Sequence, residues 1–294
     1  MFNSRNLIIL NFISVYLIWG STYVLMKIAT IELHPFAVIF WQNFIASLVL
    51  ITFNFKKDIF SYLVQNIGSI ASQSFLMLIC GVGFITIAVS KVSPALASII
   101  ISSVPLWVAL LDMYQRKGIN KTKLGGIILG LFGISLLTSS EHTPSSLGYI
   151  LLLLVASLSW SIGVVRSRKL KTLTDPYLTS IGQLLLASFA YLIFFLATNS
   201  FNELIPNQPQ TIYAVTGLGI LGDALAFTSF IWLLKNVNPI MVSTYAYINP
   251  IVSILLSWIL FGEAFIGIKV LYIGLILFSV FITVSAKEKE PVYE

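Results

Sequence analysis

An acid in the middle of a long apolar run is the residue in this chain that most directly implies chemistry. If the run crosses a bilayer, an unpaired charge at its centre costs about 2.5–3.5 kcal/mol. Asp223 sits there, near the middle of the run 210–234 and flanked by Gly219, Gly222 and Ala226. It is a candidate for contact with a substrate amine or for carrying a proton; the plainer alternative is a structural aspartate hydrogen-bonded to a neighbouring helix. Asp112 lies near the end of its own run, four residues before Arg116. Snorkelling or pairing with Arg116 accounts for it. Gln42 and Gln183, both deep in apolar runs, either hold polar groups of a substrate or bridge helices. Trp19, Trp160, Tyr245, Tyr247 and Asn249 would supply aromatic walls and amide donors to an amphipathic solute, for example an aromatic or branched amino acid. Aromatics also gather at membrane interfaces, which is the simpler account of Trp41, Trp107, Trp232 and Trp258.

Two stretches must position these groups, Val92–Pro105 and Val237–Pro250. Ser93 and Asn238 are good N-caps, and Pro94 and Pro239 occupy the first helical position, where a missing N–H costs nothing. Pro105 and Pro250 then fall inside the helices, free the carbonyls of Ile101 and Ala246, and are expected to kink them. Such a defect is tolerated in lipid only against protein or a water-filled cavity, so these helices should border a cavity and the two prolines are candidate gating hinges. Helical spacing puts Ser98, Ser102, Pro105, Ala109 and Asp112 on one face, and Ser243, Tyr247, Pro250, Ile254 and Ser257 on the equivalent one. Ser98 and Ser102 are candidate contacts; ordinary packing through small and hydroxylated residues is the alternative.

Composition sets the class. The 294 residues are 57% hydrophobic and 10% charged, with mean hydropathy +0.95. A soluble domain carries about a quarter charged residues, so this is an all-α polytopic membrane protein. Spans are expected at 7–29, 34–54, 67–89, 94–115, 123–139, 147–168, 177–198, 210–234, 239–261 and 266–285. The first has no clean cleavage site and is read as a retained span. The net charge of +6 then reports orientation rather than nucleic-acid binding. With the N-terminus inside, 14 Lys and Arg fall on the cytoplasmic side and three (Lys27, Lys91, Lys269) outside. That bias predicts a multi-pass protein of the cytoplasmic (inner) membrane with both termini cytoplasmic. Cys80 is alone, which excludes an internal disulfide and a cysteine metal site.

The chain also repeats itself. At an offset of 141, Trp19 meets Trp160, Lys27 meets Arg168, Pro35 meets Pro176, Gln42 meets Gln183, Ala46 meets Ala187 and Ser47 meets Ser188; the proline helices align at 145. Two five-helix units follow, 7–139 and 147–285, with 286–294 as a cytoplasmic tail. Because five is odd, the second unit enters the membrane from the opposite side, giving an inverted repeat. Lys27 and Arg168 would sit at equivalent helix ends as interfacial anchors or as partners of acids.

With Trp19-Gly20-Ser21-Thr22-Tyr23-Val24-Leu25-Met26-Lys27 closing the first span, the two proline helices, and Phe261-Gly262-Glu263 ending the ninth, residues 7–285 resemble the drug/metabolite transporter superfamily, specifically the EamA-type ten-helix carriers. The chain departs from that pattern at the end of the fourth helix, where Lys117-Gly118 replaces the usual glycine-glutamate. The resemblance implies a membrane carrier of small metabolites, often an exporter of amino acids or related compounds, with a central cavity between halves.

Other classes fit less well. Asp112 and Asp223 lack the Gly-x-Gly-Asp of an intramembrane aspartyl protease, since Ile220 stands three before Asp223. His34 and His142 fall in expected loops and suggest no metal site. No Gly-x-x-x-x-Gly-Lys-Ser/Thr run cradles nucleotide phosphates, so a gradient would supply energy. The expectation is a secondary active transporter, exporting small metabolites such as amino acids through alternating access, not an enzyme. Its partners would be a small-molecule substrate and the bilayer, with no nucleic acid, no cofactor, and a proton as the candidate coupling ion. An importer, a broad-specificity drug or amine exporter, and a membrane subunit without transport are the alternatives; oligomeric state is open.

Overall fold

The computed structural model describes residues 4–116, 120–139, 144–167, 174–263 and 267–286. They form ten long helical elements: α1 (Ser4–Ala29), α2 (Pro35–Phe53), α3 (Ile59–Val89), α4a (Pro94–Ile101) with α4b (Val104–Arg116), α5 (Lys121–Ser139), α6 (Pro144–Ser167), α7 (Pro176–Thr198), α8 (Pro209–Asn236), α9a (Pro239–Val242) with α9b (Tyr245–Phe261), and α10 (Ile268–Ser285). No strand occurs among the described residues. Arg168, His142, Lys117-Gly118, the Arg116 side chain expected to pair with Asp112, and nearly all of the 286–294 tail lie outside them.

The starts are set by side-chain caps. Ser93 Oγ accepts from Leu96 N–H at 3.1 Å, Asn238 Oδ1 from Ile240 N–H at 3.0 Å, and Asp58 Oδ1 from Ser61 N–H at 3.0 Å, each meeting an amide that the helix itself leaves free. His34 caps α2, its Nδ1 accepting from Phe36 N–H. α3 begins at Ile59 and not at 67 as its hydropathy suggested. Its polar first turns fold back on themselves: Gln65 donates to Ser61 Oγ and Asn66 to Tyr62 O, so polar residues that resemble a loop continue the helix.

The interruptions are not where the prolines alone would put them. In the fourth span the helix breaks at Ser102-Ser103, and Pro105 stands in the first turn of α4b, where it fits. In the ninth the break is at Ser243-Thr244, while Pro250 sits inside a continuous α9b. Two other irregularities have no proline at all. α3 runs as a π-helix over Ser74–Val82 and α8 over Leu218–Phe227. The two π segments lie 144 positions apart at their first residues and 145 at their last, so the repeat extends to a backbone defect.

The halves interlock as inverted repeats. α1 packs on α8 and α9b of the second half, α6 packs on α3 and α4 of the first, α2 pairs with α7, and α5 pairs with α10. Gly20 sets the closeness of α1 and α9b, since a Cβ there would stand 2.5 Å from Val252 Cβ and 3.1 Å from Asn249 O. Polar clasps tie each end of the bundle. At one, Lys57 Nζ meets Asp175 Oδ2 at 2.7 Å and Lys235 Nζ donates to Thr174 O. At the other, Glu32 accepts the N–H groups of Asn207 and Gln208.

Asp175 both caps α7, accepting from Tyr177 and Leu178 N–H, and pairs with Lys57. Partial burial opposes its ionisation, but the Lys57 ammonium and the cap amides outweigh that and hold the carboxyl below its usual range. A depressed folded-state value stabilises the fold above the unfolded value, near pH 4, and the stabilisation disappears as pH falls through the folded one. Asp175→Ala is expected to cost about 1–2 kcal/mol at pH 7, and thermal denaturation in detergent should show the gap to wild type closing as pH approaches 3.

Candidate functional site

The interlocked halves leave a cavity where α1, α2, α3, α4, α6, α8 and α9 converge, enclosing about 620 Å³ of space, open solvent included. α1 contributes Trp19, Thr22, Tyr23 and Met26 along one face, and α2 contributes Gln42. From α6 come Ala156, Ser157 and Trp160; from the π segment of α8 come Leu218, Asp223 and Phe227. Both broken helices reach the wall at their breaks, α4 with Ile101 and Val104, α9 with Tyr245 and, one turn on, Asn249. Val82 and Ile85 of α3 complete it with apolar surface.

Rings make up one side. Trp19 meets Trp160 edge-on at 5.5 Å and Tyr245 edge-on at 5.0 Å, with Phe230 behind it at 4.9 Å. Trp19 is held by its own indole, whose Nε1–H donates to Gly222 O at 3.1 Å. That carbonyl belongs to the π segment, so the defect in α8 is tied to α1 one residue before Asp223.

Asp223 is 7% exposed and Gln42 1%. Gln42 is close enough to hydrogen-bond the carboxyl, yet Oδ2 of Asp223 and Oε1 of Gln42 are both buried without a partner. Each is a buried acceptor without a donor, costly in a finished core at about 1–3 kcal/mol. Among the described residues the wall holds no Lys, Arg or His to neutralise the acid. A proton or a cationic N–H donor meets both needs.

Of the residues singled out from sequence, the cavity gathers Asp223, Gln42, Trp19, Trp160, Tyr245 and Asn249. Asn249 is largely occupied, its amide nitrogen, assigned by its bonds, donating to Tyr245 O and Tyr16 O. The others point elsewhere. Gln183 Nε2 donates to Gln73 Oε1 at 2.6 Å, so this glutamine bridges α7 and α3. Ser98 and Ser102 are 1% exposed and donate to Ala95 O and Ile99 O of their own helix. Tyr247 packs with Leu106, Ala109 and Val280 on the far side of α9b. Pro105 and Pro250 are not in the wall; the breaks beside them are. The Lys27 ammonium donates to Val89, Ser90 and Val92 O, closing the end of α3, and lies within the electrostatic reach of Glu263.

Sequence reasoning passed over Ser157, Thr22 and Phe227. Ser157 accepts from both Ser103 Oγ and Trp107 Nε1 at 3.0 Å, bracing the α4 break against α6. The bracing shows in sequence only as one more hydroxyl in an apolar run.

The model of the EamA-like transporter family matches this chain twice, over residues 6–139 and 147–285. The chain belongs to the EamA-like transporter family. It is 26% identical to the "Uncharacterized inner membrane transporter YedA" of Escherichia coli (strain K12), over 95% of this chain and 90% of that one. It is also 26% identical to the "Uncharacterized transporter YoaV" of Bacillus subtilis (strain 168), over 87% and 89%. A solved crystal structure superposes with a TM-score of 0.70 at 20% identity, covering 93% of this chain and 94% of that one, a likeness in fold. In this EamA-like chain the two family-matched halves meet at the cavity, and the unpaired acid comes from the second of them.

The contrast between the two glutamines gives a test. Gln183→Leu removes the partner of buried Gln73 and should lower stability by about 1–3 kcal/mol. Gln42→Leu removes an orphaned acceptor, Oε1, together with the amide beside the Asp223 carboxyl; the two effects oppose each other, so the melting temperature should shift by less than in Gln183→Leu. Thermal denaturation of both purified variants in detergent reads the difference.

Proposed function

We propose that this protein is a secondary active carrier of the inner membrane, with both termini cytoplasmic, that exports small metabolites bearing an amino group by alternating access around the cavity. The observation that carries the reading is the pair of buried, unpartnered acceptors, Asp223 Oδ2 and Gln42 Oε1, at the meeting of the two halves. A carboxyl with no resident counter-charge takes up a cation from one side and releases it to the other, and a proton competes for the same oxygen. Tyr23 and Tyr245 are the other titratable groups in the wall. Amino acids are the solutes the family resemblance suggests.

Motion is assigned to the breaks. Ser102-Ser103 and Ser243-Thr244 each end a short helix at the cavity, and each is braced by side chains from another helix: Ser157 for the first, and Tyr16, whose Oη lies 2.6 Å from Thr244 Oγ1, for the second. Bending there lets α4b and α9b swing while the cavity wall keeps its identity. Pro105 and Pro250 stiffen the segments that swing. The name of the Escherichia coli relative, an inner membrane transporter, supports the inner membrane, and the excess of Lys and Arg on one set of loops supports the orientation.

Counterflow in proteoliposomes tests this, using pooled labelled amino acids, nucleosides and amines with and without an imposed pH gradient. Wild type should show saturable counterflow accelerated by the gradient, and Asp223→Asn should lose the gradient response by tenfold or more. Full gradient-driven flux in a folded Asp223→Asn protein overturns the assignment of Asp223.

A further inference from the structure

Resting on the carrier reading, we infer that the cavity selects small organic amines, a single ammonium on an apolar or aromatic body, over zwitterionic amino acids.

The first support is the charge inventory of the wall. It holds one acid and, among the described residues, no basic side chain. Lys27, one turn beyond Tyr23 on α1, is committed to three carbonyls. Asp223 Oδ2 and Gln42 Oε1 are orphaned acceptors on two residues of the wall, and an ammonium, with several N–H donors and no acceptor, is the group that such acceptors suit. The rings of Trp19, Trp160 and Tyr245 present π faces and edges around the same space, the setting in which an organic cation is held by ring quadrupoles as well as by the acid.

A carboxylate, by contrast, finds no seat. The natural place would be the helix N-termini created at the two breaks, where free N–H groups and the helix dipole attract anions. Here those amides are largely used. In α4b, Leu106 and Trp107 N–H both donate to Ser103 O, and position 105 is proline with no N–H. In α9b, Ala246 N–H donates to Ser243 O and Tyr247 N–H to Thr244 O. Trp160 Nε1 is an uncharged donor set beside the Tyr245 hydroxyl; it does not balance a carboxylate. An amino acid in this cavity would therefore bring a second negative charge beside Asp223 with nothing to neutralise it.

The test is equilibrium binding and counterflow with matched pairs on the purified full-length protein: phenethylamine against phenylalanine, tyramine against tyrosine, and neutral N-acetylphenethylamine as the control that keeps the ring and removes the charge. Each amine should bind at least tenfold more tightly than its amino acid and than the acetylated control, and Asp223→Asn should abolish the preference while melting as a folded protein. Phenylalanine binding as tightly as phenethylamine, equal binding of the acetylated control, or no amine binding to folded wild type each overturns the inference. The two readings fail separately. Amino-acid counterflow without amine binding leaves the carrier and removes the amine selectivity; selective amine binding without counterflow upholds the selectivity and removes the carrier.

Discussion

The constraint on which the rest depends is that hydrocarbon offers no partner to a bare carbonyl, so every irregular turn of backbone in the bundle must be satisfied by a side chain of its own or another helix. The described spans contain four such irregularities, two breaks and two π segments. Three are met by a donor from another helix, and at the α9 break the Ser243 and Thr244 hydroxyls donate to Ile240 O and Met241 O of their own helix. In the π segment of α3, Leu76 O accepts from Ser159 Oγ and Ile79 O from Tyr191 Oη; in that of α8, Gly222 O accepts from the Trp19 indole. At the α4 break, Val104 O accepts from Ser161 Oγ. The serines and aromatic N–H and O–H groups that look scattered in the sequence are the partners of these carbonyls, and that pairing fixes which helices can be neighbours.

Function is a consequence of the same arrangement. A π turn widens the helix and shifts the phase of the residues after it. In α8 that turn carries Gly222 and Asp223 together, the first anchored by Trp19 and the second left facing the cavity. Gly219, one turn before Asp223, lets α8 approach α2 so closely that a Cβ would stand 2.8 Å from Ile45 Cβ and 3.0 Å from Gln42 O. That approach brings Gln42 beside the carboxyl. Backbone irregularity, close helix contact and the unpaired acid are thus one device.

How much of this the sequence reveals depends on whether a feature has a residue-type signature. The spans apart from the start of α3, the repeat, the caps at Ser93 and Asn238, and the burial of Asp223 follow from hydropathy, spacing and the chemistry of Ser, Asn and Asp. Gln42 and Trp19 were legible because an amide or an indole in lipid needs a partner. The π segments were not, since a tenth residue in two and a half turns leaves no mark on an apolar stretch. Nor could repeat logic separate Gln42 from Gln183: each matches the other in register, but Gln183 meets Gln73, whereas Gln42 lies beside the Asp223 carboxyl and keeps its Oε1 without a partner. The position of the breaks was misjudged for a related reason. Proline marks where a hydrogen bond must be absent, whereas the breaks occur where Ser and Thr side chains give the backbone another way to close.

The symmetry of the frame and the asymmetry of its chemistry belong together. The position 145 before Asp223 is Leu78, fully buried inside the α3 π segment, so matching defects carry an acid in one half and an alkyl chain in the other. Two acids facing each other across a dry cavity would repel and would force one to hold a proton at all times. With a single acid, as in the proposed cycle, one cation would neutralise the site and its departure would restore it. In that proposal the inverted repeat supplies two equivalent ways of packing the halves, and the lone carboxyl makes the occupancy of both depend on one charge.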